Sequence, residues 1–155
     1  MLLLLLRPLL LILVLHGLIC AAAADADRIL GSWVSSDGKA HIAVISSDGG
    51  TYIGTIDWLG SPLNDQGKPR LDDQNPDASL KTKPIIGLRI LKDLKFDSGD
   101  SWTGGWIYDP ESGKSYHCHA TLGKDGATLD LRGYIGISLL GRNQTWQRMP
   151  EGAGP

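Results

Sequence analysis

Residues 101–122 decide the fold, and they read SWTGGWIYDPESGKSYHCHATL. Successive side chains of an extended chain point to opposite sides, so Trp102, Trp106 and Tyr108 share one face. Residues 109–113 (DPESG) have the composition of a turn, because proline presets an early φ and Gly113 accepts a positive one. Residues 114–122 alternate again as a returning strand. The stretch therefore predicts a β-hairpin.

The returning strand has a less polar row and a polar row. The less polar row is Tyr116, Cys118, Ala120 and Leu122, and the polar row is Ser115, His117, His119 and Thr121. A hairpin alone is marginally stable in water, so its apolar face has to lie against further strands.

The rest of the chain supplies those strands. Short runs with a period of two are separated by turn residues, and they predict strands at 28–35, 39–46, 51–59, 86–96, 127–135 and 143–149. No segment carries a long helical apolar stripe. With the two hairpin strands the total is eight. Their even spacing and tight turns predict an all-β fold, a closed or nearly closed up-and-down antiparallel barrel.

The first and last predicted strands carry residues that can close the barrel. Gly31 and Trp33 lie on the first strand, and Trp146 and Arg148 lie on the last. These strands are neighbours in a closed barrel, where a guanidinium stacked over an indole would cover one end. This arrangement resembles that of calycins and lipocalins.

Several longer motifs extend the resemblance over nearly all of residues 25–155. They are Trp58-Leu59, Gly67-Lys68-Pro69, Asn75-Pro76-Asp77, Trp102-x-Gly104-Gly105, Ile107-Tyr108-Asp109-Pro110, Arg132-Gly133-Tyr134 and Leu140-Gly141-Arg142. Together they are similar to the secreted bacterial domain-of-unknown-function family 2147. The resemblance implies an exported, lipocalin-like barrel and implies no particular chemistry.

The N-terminal residues 1–24 have the composition of a signal peptide. They are rich in leucine, carry only Arg7 as a charge, and end in four alanines before Asp25. We therefore expect cleavage near Ala24, a single domain over 25–155, a periplasmic or secreted bacterial protein, and no stable membrane insertion after cleavage. Lipid attachment at Cys20 is disfavoured, because Ile19 stands where a small residue is required.

The charge and the cysteine content limit the possible partners and the possible disulfides. The formal net charge is −2, from 15 basic and 17 acidic residues with no large block of one sign, which argues against nucleic acid. Cys118 is the one cysteine outside the leader, so no internal disulfide can form. Its place in the less polar row predicts a buried, unreactive thiol, and we expect a monomer.

Residues 60–84 form the one long segment without strand character. Asn75, Pro76 and Asp77 resemble a helix N-terminus, so we predict a short helix that ends near residue 82. A loop of this length could be a lid over the barrel mouth, with Lys81, Lys83 and Arg70 offering positive charge. The alternative is a solvated structural flap.

Candidate chemistry is sparse. His117 and His119 could share a metal with His41, but they lie in the polar row, which favours exposed histidines and no metal site. No cofactor motif is present, and no spacing places a base beside a nucleophile, so we expect no enzyme.

The functional hypothesis is an exported carrier or sensor of a small amphiphilic ligand. Trp102, Trp106, Tyr108 and Tyr116 would line one end of the lumen, with Gly104 leaving room and Lys81 or Lys83 meeting a headgroup at the rim. The alternative is a module that binds envelope glycan or protein through exposed Trp and Tyr. An enzyme of unidentified type is a third reading.

Overall fold

The computed structural model describes residues 25–136, 141–150 and 152, which form a closed barrel of eight antiparallel strands. Each strand pairs with its neighbours in sequence, and the first pairs with the last. The strands are β1 (Gly31–Val34), β2 (Ala40–Ser47), β3 (Thr51–Leu59), β4 (Arg89–Ser98), β5 (Ser101–Asp109), β6 (Lys114–Leu122), β7 (Thr128–Tyr134) and β8 (Arg142–Arg148). The predicted all-β barrel and its central hairpin are confirmed.

The predicted signal peptide, residues 1–24, lies outside the described residues. Within the described residues, no helix is long and apolar enough to cross a membrane.

Up-and-down connectivity gives the barrel two different ends. The turns at 35–39 and 110–113 and the long loop 60–88 lie at one end, which we name the open end. The turns at 48–50, 99–100 and 123–127 lie at the other, the closed end, together with a 3-10 helix at Asp27–Ile29. Side chains at one end therefore come from residues far apart in sequence.

A tryptophan and an arginine fill the closed end. Trp33 is 0% exposed, and its indole N–H donates to the carbonyl oxygen of Ile29 at 3.1 Å. The guanidinium carbon of Arg148 lies 4.2 Å from the Trp33 ring centroid. Arg148 also donates to the carbonyl oxygens of Arg28, Leu30 and Gly126 at 2.7, 2.7 and 2.6 Å. Burial lowers the pKa of this guanidinium, which nevertheless stays charged at neutral pH.

Gly31 belongs to the same closure. Its φ is +126°, and a Cβ built there would lie 2.9 Å from the Arg148 Nη1 atom. A side chain at this position would therefore force the guanidinium to shift.

A β-bulge in β5 makes the prediction of one shared aromatic face wrong. The pairing with β6 shifts between Trp102 and Gly105, and Gly104 has a φ of +71°. Because a bulge inserts one extra residue, the alternation reverses beyond it. Trp102 is therefore 0% exposed at the closed end, with its indole N–H donating to the Ala26 carbonyl at 3.2 Å, whereas Trp106 points outward and is 40% exposed.

The missing side chain of Gly104 does not create space in the lumen, as the sequence had suggested. Gly104 is exposed, and a Cβ built there would meet nothing within 4 Å. Gly105 is the buried neighbour, where a Cβ would lie 2.7 Å from Leu94.

The predicted short helix in the long loop is also wrong. Residues 76–83 form successive turns, and the loop is drawn together by bridges between Leu63 and Pro69 and between Leu71 and Pro84. The Asn75 side chain accepts from the Asp77 N–H as a cap would, at 2.9 Å. However, the Asp77 carboxylate accepts from both the N–H and the hydroxyl of Ser79, and such local bonds compete with helix.

Candidate ligand-binding cavity

The open end of the barrel contains a cavity of about 520 Å³. Apolar side chains from six strands and from the long loop line its interior; they are Ile42, Ile56, Ile85, Ile90, Ile107, Leu131 and Trp146. Ile42 is the pairing partner of Trp33, so the cavity extends down to the layer that closes the barrel. The lumen is therefore filled at one end and hollow at the other.

Polar side chains lie nearer the mouth. Tyr116 on β6 and Gln144 on β8 line the cavity, as do six charged residues: Asp37, Lys39, Arg70, Asp109, Glu111 and Arg142. The indole N–H of Trp146 donates to the Gln144 side-chain oxygen at 3.4 Å, which leaves the Gln144 amide N–H groups free to donate elsewhere.

Two of the acidic groups at the mouth are engaged locally. Asp37 accepts from the Ser35 hydroxyl at 2.7 Å and pairs with Lys39 at 3.4 Å, and the Ser35 bond is the main reason that the pKa of Asp37 is lowered. Asp109 accepts from the Glu111 N–H at 3.0 Å and from the Ser112 hydroxyl at 2.6 Å, within its own turn.

The two arginines at the mouth, unlike these acids, have no oppositely charged partner among the described residues. In the part of the chain that the structure describes, no carboxylate oxygen lies within 4.0 Å of the guanidinium of Arg70 or Arg142. Both side chains line the cavity and are exposed. They are therefore available to an anionic group that enters the mouth.

A buried carboxylate fastens the long loop beside the mouth. Asp72 is 0% exposed and accepts from the Tyr108 hydroxyl and from the Asn75 amide, each at 2.6 Å. Burial is the main cause that raises the pKa of Tyr108, and the hydrogen bond to Asp72 is the next. The phenol therefore keeps its proton and remains a donor. We name Asp72, Asn75 and Tyr108 the loop latch.

A glycine lets the β5–β6 turn fit against the same loop. A Cβ at Gly113 would lie 2.0 Å from the Gln74 carbonyl oxygen, and its φ is +67°. The turn and the loop are thus in direct backbone contact next to the latch.

The structure separates the predicted ligand-binding residues. Tyr108 and Tyr116 line the cavity. Trp102 lies at the closed end, and Trp106 lies outside the barrel. Of the three cations predicted in the loop, Arg70 lines the cavity, whereas Lys81 and Lys83 are exposed and do not line it. The other guanidinium at the mouth is that of Arg142.

The residues predicted to close the barrel also lie in two different places. Gly31, Trp33 and Arg148 meet at the closed end, whereas Trp146 lines the cavity. Sequence reasoning missed Asp72 as a buried anchor and Arg142 as a mouth residue. Arg142 had a usable signal, because it has the same parity as Trp146 and Arg148 on β8.

The outer face of strands β5 to β7 carries a row of aromatic rings, which we name the outer aromatic row. Centroid distances are 3.8 Å from Trp106 to His117, 5.6 Å from His117 to Tyr134 and 5.8 Å from Tyr134 to His119. His41 stacks on Trp58 at 4.2 Å, away from this row. No group of three potential metal ligands occurs among the residues described.

Cys118 lies on the inner face of β6 and is 1% exposed, which confirms its predicted burial. Burial raises the pKa of its thiol from the ordinary value of 9.0 to about 12.

This pKa shift predicts a loss of stability in alkali. Between pH 9 and pH 12 the unfolded thiol loses its proton before the folded one does, so the free energy of unfolding should fall as pH rises. Urea titrations at pH 8 to 10 measure the slope, and the Cys118→Ala variant should show a shallower one. Equal slopes in the two proteins would show that the thiol is not shielded.

The fold and the cavity together define a class. A closed eight-stranded up-and-down barrel with a hollow end is a lipocalin-like barrel. The family model described as "Uncharacterized protein conserved in bacteria (DUF2147)" matches residues 31–148, and the chain belongs to this family.

A solved structure supports the same fold. The chain is similar to a structure described as "Protein HP1028 from the human pathogen Helicobacter pylori belongs to the lipocalin family", with a TM-score of 0.69 and 21% identity. The match covers 79% of this chain and 84% of that chain. No curated protein matches the sequence.

Proposed function

We propose that this protein is an exported carrier or sensor that binds one small amphiphilic molecule in the barrel, without transforming it. The cavity of about 520 Å³, apolar inside and polar at its mouth, carries the proposal. Its volume lies within the range of roughly 300–1,000 Å³ typical of small-molecule sites. An apolar chain would fill the lumen while a polar group stays at the mouth.

Burial of apolar surface supplies the driving force. Each Å² removed from water contributes about 25 cal/mol, so a short alkyl chain enclosed by the isoleucines of the lumen binds favourably. The small polar set of Tyr116 and Gln144 then orients the ligand.

The export part of the proposal rests on the N-terminal sequence. The leucine-rich residues 1–24 support passage through a bacterial inner membrane and release into the periplasm or medium as a monomer beginning near Asp25. A ligand-binding barrel in that place would meet envelope-derived amphiphiles.

Filling the lumen is expected to weaken ligand binding. Ala40 lines the cavity, and Ala40→Phe would place a phenyl ring in it. We expect the affinity for decanol, measured by isothermal titration calorimetry, to fall at least about 10-fold, because the ring occupies volume that the alkyl chain needs. The wild type should bind one decanol per chain.

Ala43→Phe is the matched control. Ala43 has the opposite parity on the same strand, and it is not among the residues that line the cavity. This variant should bind decanol as the wild type does, and thermal unfolding should show that both variants are folded. Unchanged binding by a folded Ala40→Phe protein would contradict a lumenal site.

The outer aromatic row favours a second candidate function, the binding of envelope glycan. Trp106 is 40% exposed and borders a surface depression of about 260 Å³ that also touches Lys92 and Ser115. Soluble peptidoglycan or polysaccharide fragments that bind the wild type and Ala40→Phe equally, but fail to bind Trp106→Ala, would favour this function. If Ala40→Phe loses binding of these fragments while Trp106→Ala retains it, glycan binding at the outer aromatic row is excluded.

A further inference from the structure

We infer that the lumenal ligand carries an anionic group, in its simplest form a carboxylate, and that Arg142 selects it with help from Arg70. This inference rests on the proposed function. It adds the chemical class of the ligand and the residues that distinguish this class from neutral or cationic amphiphiles.

The inner row of β8 places two arginines at opposite ends of the lumen. Alternation along the strand directs Arg142, Gln144, Trp146 and Arg148 to the inside. Arg148, at the closed end, donates to three carbonyl oxygens and stacks on Trp33. All three of its guanidinium nitrogens are engaged in closing the barrel.

Arg142 has the same orientation and none of those partners. It lines the cavity mouth, and its side chain has no hydrogen-bond acceptor or carboxylate partner among the described residues. A guanidinium presents several donors in a planar fork that matches a carboxylate through two parallel bonds. An inward arginine without an internal acceptor is therefore a ready site for an anion.

The space beside Arg142 is open because its pairing partner is a glycine. Gly133 on β7 pairs with Arg142 and also lines the cavity. A Cβ at Gly133 would lie 3.4 Å from both Ile107 and Tyr116, so any larger side chain would enter the space next to the Tyr116 ring. Glycine leaves that space to a ligand.

Neutral donors complete the site. Tyr116, which carries a hydroxyl, and Gln144, whose amide N–H groups are free, line the same cavity as Arg142. Arg70 contributes a second positive charge from the long loop, which the latch holds against β5. Donors thus predominate among the groups that have no internal partner.

The formal charges of the six charged residues at the mouth sum to zero. The preference for an anionic or a cationic ligand therefore depends on which of these side chains have no partner within the protein. Asp37 is neutralised by Lys39, and both oxygens of Asp109 accept bonds within their turn. Glu111 alone among these acids has no such side-chain engagement in the described part of the chain. Two available guanidinium groups against one available carboxylate favour an anion.

The test compares three probes with the same alkyl chain: decanoate, decanol and decylamine. At neutral pH and low salt we expect decanoate to bind the wild type about 10- to 100-fold more tightly than decanol, because charge-assisted hydrogen bonds contribute on that scale. Decylamine should bind most weakly. Added salt should reduce the advantage of decanoate, since the mouth is open to solvent.

Substitution of the arginines assigns the selectivity. Arg142→Gln should lower the affinity for decanoate much more than the affinity for decanol, so that the ratio of the two affinities falls toward one. Arg70→Gln should reduce this ratio by less. Arg132→Gln is the control, because it removes the same charge from the outer face of β7, where Arg132 donates to Asn143 at 2.7 Å. It should retain the selectivity for decanoate.

The outcomes separate this inference from the proposed function. Equal affinities for the three probes, with no effect of Arg142→Gln, would overturn the anion inference and leave lumenal binding intact. An equal loss in Arg132→Gln would also overturn it, because the effect would then be one of net charge. If no probe binds the wild type, the proposed function fails and this inference fails with it.

Discussion

Replacing Trp33 with alanine is expected to lower the free energy of unfolding by about 3–5 kcal/mol, the cost of deleting a large buried aromatic side chain. Trp33 is 0% exposed, and its indole N–H donates to Ile29. The deletion also removes the surface on which Arg148 stacks. Urea denaturation followed by circular dichroism measures the loss.

A double-mutant cycle tests whether Trp33 and Arg148 close the barrel together. Arg148→Ala alone should cost about 2–4 kcal/mol, because three carbonyl oxygens lose a charged donor and the indole loses its cover. The two losses should fall short of additivity by at least about 0.5 kcal/mol, since residues in contact are coupled. Simple additivity would contradict the closure that β1 and β8 form.

Asp72→Ala is expected to lower the stability of the protein by releasing the long loop. It leaves the Tyr108 hydroxyl and the Asn75 amide without their acceptor, and unsatisfied buried groups cost about 1–3 kcal/mol each. We expect a loss of about 2–4 kcal/mol by urea denaturation. Hydrogen exchange should accelerate across residues 70–85, where the latch holds the loop.

Asp73→Ala is the matched control for the latch. Asp73 is adjacent and exposed, and it bonds only the neighbouring Gln74 side chain in the described structure. Exposed substitutions of this kind usually change stability by less than about 0.5 kcal/mol. Equal effects of the two alanine substitutions would show that the buried carboxylate does not anchor the loop.

The sequence predicted the barrel well because the signals for strands and turns are local. Alternation and turn residues located all eight strands to within a few residues. The central hairpin was predicted within 101–122 with its turn at 109–113, and the observed strands are Ser101–Asp109 and Lys114–Leu122. The pairing of Trp33 with Arg148 was also predictable, because any closed meander brings the first strand beside the last.

The prediction of one shared aromatic face was wrong because a single bulge in β5 reverses the alternation of side chains. Gly104 and Gly105 both fit a strand in sequence, and nothing local distinguishes the bulged glycine from the buried one. The outcome depends on Leu94 of the neighbouring strand, which leaves no room for a Cβ at Gly105. Such a contact is set by tertiary packing, so parity alone could not reveal it.

The candidate site was only partly predictable for the same reason. Tyr116 and the inward direction of Arg142 follow from alternation, whereas the burial of Asp72 depends on how the long loop folds back onto β5. The lysines of that loop are close to the latch in sequence, but they lie outside the lining of the cavity. Which charged side chains of a loop lie at the mouth of a cavity therefore depends on the folded conformation of that loop.

Native mass spectrometry of the protein recovered from the envelope or medium of its own host tests the central claim most directly. We expect a monomer that begins near Asp25 and retains one small amphiphilic molecule per chain. Ala40→Phe should lose that molecule, and Ala43→Phe should keep it. A bare polypeptide mass for the wild type, or an adduct that Ala40→Phe retains equally, would contradict a lumenal ligand.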